Sequence, residues 1–84
     1  MPPTLEQLMT FLGNYADRHL YLMNASEKQR EDYQLALNGV DADPMMQKHL
    51  DKNYERHEAA HLAYKDAHDA LERLQYYNRN GGYR

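Results

Sequence analysis

Residues 24–44, NASEKQREDYQLALNGVDADP, decide how many helices this chain makes. Ser26-Glu27-Lys28-Gln29 has the form of a capping box, in which a serine hydroxyl and a glutamine amide satisfy backbone groups exposed at a helix start. Asn38-Gly39 is a stop, because glycine takes the left-handed cap conformation without steric cost. Asp43-Pro44 is a second start, with aspartate as N-cap and proline at the first helical position. Tyr33, Ala36, Leu37 and Val40 give the segment between these signals an apolar side. The stretch therefore predicts a short middle helix over about 27–38, flanked by a helix that ends near 23 and another that begins at 44.

Upstream, Thr4-Leu5-Glu6-Gln7 is also a capping box. Leu5, Leu8, Leu12, Tyr15, His19 and Leu22 follow it at alternating three- and four-residue steps, with Met9, Ala16 and Met23 widening the stripe. Gly13 weakens this first helix relative to alanine, and allows a close neighbour. Downstream, nothing breaks helix from Pro44 to about Asn78, a length of roughly 50 Å at 1.5 Å per residue. The expected fold class is all-α, a small helical bundle or hairpin of three helices (about 5–23, 27–38 and 44–78) with a long C-terminal helix. It occupies 1–84 as a single domain, with 79–84 a flexible tail. Strand signals are absent, since the chain has one valine and no isoleucine.

The third helix sorts into faces at 100° per residue. Ala60, Ala63, Ala67, Ala70 and Leu74 fall in one sector with Tyr77, and side chains this small let a neighbouring helix come close. They are the expected self-association surface. A second row holds Leu50, His57, His61, Tyr64 and His68. Because the third helix outruns the first, either both shorter helices lie along it or its overhang meets another chain, and a homodimer is expected.

The chain has 84 residues and no cysteine, so a thin core must be supplemented without disulfides or thiolate metal clusters. The N-terminus lacks a basic region followed by an apolar run, and no segment is long enough to span a bilayer. A cytoplasmic location with no membrane association is expected, in the host cytoplasm if a phage encodes the chain. The net charge of −3 disfavours a general nucleic-acid binder. The balance is uneven, since all 13 acids precede residue 73 and the last twelve residues carry only Arg73, Arg79 and Arg84.

His57-Glu58-Ala59-Ala60-His61 is an H-E-x-x-H sequence, which resembles the zinc-binding helix of zincins over five residues. Two histidines four apart share a helix face and can hold one metal, with the glutamate polarising a water. The continuation departs from both common patterns. Tyr64 stands where a metzincin-like sequence needs glycine, Ala67 where it needs histidine, and His68 is one place off. Glu72 is too close along the same helix to serve as a distant third ligand. His57 and His61 remain the metal candidates, and His19 or His49 are the available additional donors. The alternative is a half-buried polar seam of histidines with Tyr54 and Tyr64. No catalytic residue is assigned: Ser26 is the sole serine and reads as a cap, and no glycine-rich loop precedes a helix. No cofactor is expected.

Tyr76, Tyr77 and Tyr83 alternate with Arg73, Arg79 and Arg84 at the C-terminus. Tyrosine and arginine together make protein hot spots, and the same pair can stack on and neutralise single-stranded nucleic acid. With Tyr54, Glu58, Lys65, Asp69 and Glu72 on the solvent side of the third helix, they form the expected partner-binding surface. The function expected by elimination is that of a small non-enzymatic protein–protein interaction protein. Size, acidity and compactness are shared with phage-encoded inhibitors of host machines, anti-CRISPR proteins among them, an analogy of class. Such an inhibitor would occlude a host nucleic-acid-binding complex sterically. The alternatives are a self-associating structural or assembly protein and a metal-binding helical protein.

Overall fold

The computed structural model describes residues 2–79 and contains two α-helices, α1 (Leu5–Leu37) and α2 (Pro44–Arg79). They run antiparallel as a hairpin about 62 Å long. The all-α class stands, and the three-helix division does not. Ser26 lies inside α1, where its hydroxyl donates to the Leu22 carbonyl at 2.9 Å and accepts from the Asn53 amide at 3.2 Å. A serine can bond back to the carbonyl four residues earlier and remain helical. With its side chain engaged that way and only 3% exposed, Ser26 is a small residue at a helix–helix contact and caps nothing. The absence of a break makes α1 33 residues long against 36 for α2. The expected overhang of the C-terminal helix disappears with it.

The other boundary signals operate as read. Thr4 Oγ1 accepts from the Gln7 amide nitrogen while the Gln7 side chain accepts from Thr4 N. At the far end, Asn38 (φ 49°) and Gly39 (φ 85°) both take left-handed conformations, and Val40 N donates to the Leu37 carbonyl. Asp43 Oδ1 accepts from Met45 N at the start of α2. The Tyr33 hydroxyl, reaching back from α1, accepts from Asp43 N at 2.9 Å and ties the turn to the helix it leaves.

The contact between the helices follows a strict seven-residue repeat. On α1 the residues turned inward are Leu5, Met9, Leu12, Ala16, His19 and Met23, and the same spacing continues through Ser26, Arg30, Tyr33 and Leu37. On α2 they are Leu50, Tyr54, His57, His61, Tyr64 and His68, continuing to Leu71 and Gln75. Alternating four- and three-residue steps are the signature of a coiled-coil seam. Writing its two positions as a and d, Met9, Ala16, Met23 and Arg30 are a, and Leu12, His19, Ser26 and Tyr33 are d. On α2, Tyr54, His61 and His68 are a, and His57, Tyr64 and Leu71 are d. The seam differs from the expected stripe of α1: Leu8 and Tyr15 lie beside it, 39% and 46% exposed. Both positions suit a three-four pattern, and only the extension of the repeat through Ser26 to Leu37 selects the other phase.

Candidate functional site

The middle of the seam is built from histidines and tyrosines. His19 Nδ1 and His57 Nδ1 are 3.2 Å apart, with ring centroids 5.4 Å apart, so the two rings meet nearly end to end through these nitrogens. One imidazole donates and the other accepts, which requires different tautomers on the two helices. Tyr64 stacks on His19 at 5.5 Å and on Tyr15 at 5.3 Å, joining three rings along one side of the seam. One turn away, His61 Nδ1 lies 2.8 Å from the Ala16 carbonyl oxygen. A carbonyl only accepts, so His61 carries its proton on Nδ1. Ala16 is the one apolar residue among those described that is fully buried, at 5% exposed, and its lack of bulk is what brings His61 to the backbone of α1.

His68 Nδ1 donates to Asp69 Oδ1 at 3.2 Å, and Lys65 Nζ reaches Asp69 Oδ2 at 3.1 Å. The hydrogen bonds from His68 and then Lys65 hold the Asp69 carboxyl below its usual pKa. His57 and His61, the metal candidates, thus direct their Nδ1 atoms at different partners, and His57 meets His19 across the seam. Among the described residues no three His, Asp or Glu side chains gather where they could hold a metal ion. His49 sits on an exposed position of α2.

Nearer the turn the seam becomes ionic. Arg30, at an a position, pairs with Glu27 and with Asp51 (3.3 Å) and places its guanidinium carbon 4.1 Å from the Tyr54 ring centroid. The Glu27 hydrogen bond is the main reason that the Arg30 pKa is raised. Tyr54 is displaced upward as well, by desolvation first and by Glu58 and Glu27 next. Gln47 donates to Asp51 and receives a bond from Gln34. A charged residue at a seam position fixes the alignment of two helices, because any slip leaves it among apolar groups without these partners.

The residues expected to bind a partner are therefore divided. Tyr54 is half-buried beneath Arg30. Asp69 is half-buried beside His68, and Glu58, Lys65, Glu72 and Arg73 are exposed. Tyr76 and Tyr77 contact each other edge to face at 6.0 Å, and Arg79 ends α2. Tyr83 and Arg84, and the expected tail beyond residue 79, lie outside the described residues.

The expected self-association residues fall on the side of the hairpin that holds Tyr15. Reversing one helix against another puts like positions of the repeat on the same side. One side therefore carries the e and b positions, and its shallow cleft is lined by Gly13, Asp17, Leu20, Lys65, His68 and Asp69. The opposite side carries g and c. There α1 presents Leu8, Phe11, Tyr15 and Leu22, with Arg18 between the last two, and α2 presents Ala60, Ala63, Ala67, Ala70 and Leu74, with Arg56 at its edge. Leu22 and Ala60 are half-buried, and the others are exposed. In the sequence this side was half legible: the alanine row of α2 stood out, but its companions on α1 were absorbed into the expected core stripe. The histidine seam stood out too, with His19 among the residues expected to reach it from the first helix.

No protein-family model matches the chain, and neither a curated protein nor a solved structure is similar enough to count as a match. Among the described residues no helix is long and apolar enough to cross a membrane.

Proposed function

We propose that the protein is a small non-enzymatic interaction protein that acts by covering one side of its hairpin with another helical protein surface. The observation that carries this is the apolar side itself. Leu8, Phe11, Tyr15 and Leu74 expose large side chains, 55% of Phe11 among them, next to a row of exposed alanines. No charge interrupts the α2 part of this row from Ala60 to Leu74, and the α1 part is uncharged from Leu8 to Tyr15, where Arg18 bounds it. A contiguous apolar side of this kind marks an interaction site on a water-soluble domain, and a cytoplasmic location accords with it. The histidines contribute to holding the hairpin, through His19–His57 and His61–Ala16.

An assembly role draws more support from this geometry than an inhibitor that occludes a basic groove. The outer faces mix signs, with Lys28 paired to Asp32 and Lys65 to Asp69, so they offer no continuous acidic surface. The phage-inhibitor reading survives in the form that requires only the apolar side to dock.

Carbene labelling of the protein inside expressing cells tests the proposal. Leu8, Phe11, Tyr15 and Leu74 should label several-fold less than expected from their exposure, using Leu35, Val40 and Met45 as open references. Labelling in proportion to exposure at both sets of positions overturns it.

A further inference from the structure

We propose that the occupant of the apolar side is a second copy of this chain, turned by a two-fold axis parallel to the helices so that α1 of each copy lies on α2 of the other. This rests on the interaction reading above and adds the identity and orientation of the partner.

Size complementarity is the first ground. The α1 part of the side carries Leu8, Phe11 and Tyr15, all large, and the α2 part carries Ala63, Ala67 and Ala70, all small. The contacts Tyr15–Tyr64, Ala16–His61 and His19–His57 fix which residues lie level across the hairpin. Tyr15 is level with Ala63, Phe11 with Ala67 and Leu8 with Ala70, while Arg18 is level with Ala60 and closes the apolar stretch. A two-fold along the helix direction preserves height and exchanges left for right. It therefore sets Leu8, Phe11 and Tyr15 of one copy over Ala70, Ala67 and Ala63 of the other. The alternative two-fold, across the helices, puts α1 on α1 and alanine on alanine. It also inverts height, so that the two turns would point to opposite ends.

The second ground is surface area. A compact monomer of 10.0 kDa has about 5,200 Å² of accessible surface by the usual mass scaling, whereas this chain exposes 6,770 Å². The excess is larger than the roughly 800 Å² that each partner of a standard interface buries. Continuity with the seam is the third. The g positions border the d positions, so the partner's side chains would close over the edge of the seam where Tyr15 and Tyr64 stack. The result is a four-helix bundle in which adjacent helices are antiparallel and Ala63, Ala67 and Ala70 allow close approach.

The arrangement predicts that both turns lie at the same end. The purified chain, which has no cysteine, is examined by sedimentation equilibrium. It is expected to run at twice its 10.0 kDa mass, and Ala67→Glu is expected to weaken the dimer by roughly 100-fold or more, since a carboxylate would be buried without a partner. Spin labels on Val40→Cys, exposed at the turn, should report a separation well under half the 62 Å length of the hairpin. A monomer at all concentrations overturns the inference, as does a dimer indifferent to Ala67→Glu or one whose turns are a hairpin length apart. A monomeric purified chain whose apolar side is still protected in cells overturns only the choice of partner. Loss of that protection as well overturns the interaction reading.

Discussion

Two rows of α2 run side by side with the same seven-residue period, and the more polar one faces inward. His57, His61, Tyr64 and His68 meet α1, while Ala63, Ala67, Ala70 and Leu74 stay outside it. Apolarity of a single helix face therefore does not select its intramolecular partner. What selects it is the fit to the other helix. The inner row supplies length and hydrogen-bonding groups for a counterpart in which Ala16 leaves room for His61 and His19 needs a polar partner. A row of alanines against those positions would leave voids and would strand the His19 nitrogen. The outer row, relieved of holding the hairpin, is left with the composition of an interface.

The sharpest way to break this contrast is to enlarge the one fully buried apolar residue of the seam. Ala16→Leu adds three carbons where the His61 ring sits 2.8 Å from the backbone carbonyl of the same residue. The helices must separate or His61 must rotate away. Overpacking of this type costs about 1–3 kcal/mol, to be read from urea unfolding at one fixed protein concentration, because subunit association also contributes to apparent stability. An unchanged or raised midpoint would show that the inner row is loosely packed and that the difference between the two rows is one of degree.

A smaller effect is expected from the histidine pair, and it distinguishes a specific bond from mere filling. His19→Leu and His57→Leu each leave an imidazole Nδ1 facing an apolar neighbour, whereas the double variant removes both polar groups together. The double variant should therefore be more stable than the sum of the two single changes predicts, by about 1 kcal/mol, the usual net value of one hydrogen bond. Simple additivity would mean that the end-to-end contact of His19 and His57 contributes nothing beyond volume.

How much of this was open to sequence reasoning depends on the range over which each signal acts. The cap at Thr4, the turn at Asn38-Gly39 and the start at Asp43-Pro44 depend on backbone groups a few residues away, and they were legible. Ser26-Glu27-Lys28-Gln29 shows the same local chemistry without its consequence. The alternative bond to Leu22 O and the partner Asn53 on the other helix together outweigh the capping preference, and neither appears in a four-residue pattern. The phase of the α1 stripe was hidden for a related reason. Leu8 and Tyr15 are as apolar as Met9 and Ala16, and the choice between them depends on continuing the repeat through Ser26 and Arg30, which look like surface residues until their partners Asn53 and Asp51 are known. The apolar side of the hairpin was visible on α2 and invisible as a two-helix surface, since it exists only once the antiparallel pairing sets Tyr15 level with Ala63 and Phe11 with Ala67.

The smallest expected effect concerns the edge of the inner row at Gly13. A methyl group added there would lie 3.6 Å from His68 Cδ2, an ordinary van der Waals distance, so the glycine does not need its missing side chain for the helices to approach. Its helical position then carries only the conformational cost of glycine. Gly13→Ala should raise stability by about 0.5–1 kcal/mol, through helix propensity and a less disordered unfolded chain. The same substitution should leave the sedimentation mass unaltered, because position 13 lies on the polar side, away from Phe11 and Ala67. A loss of stability would place the His68 ring closer to α1 than 3.6 Å in solution and would make Gly13, with Ala16, part of a tighter inner contact. A gain accompanied by a change in mass would show instead that the two sides of the hairpin are coupled through the seam, so that filling one alters what the other can bind.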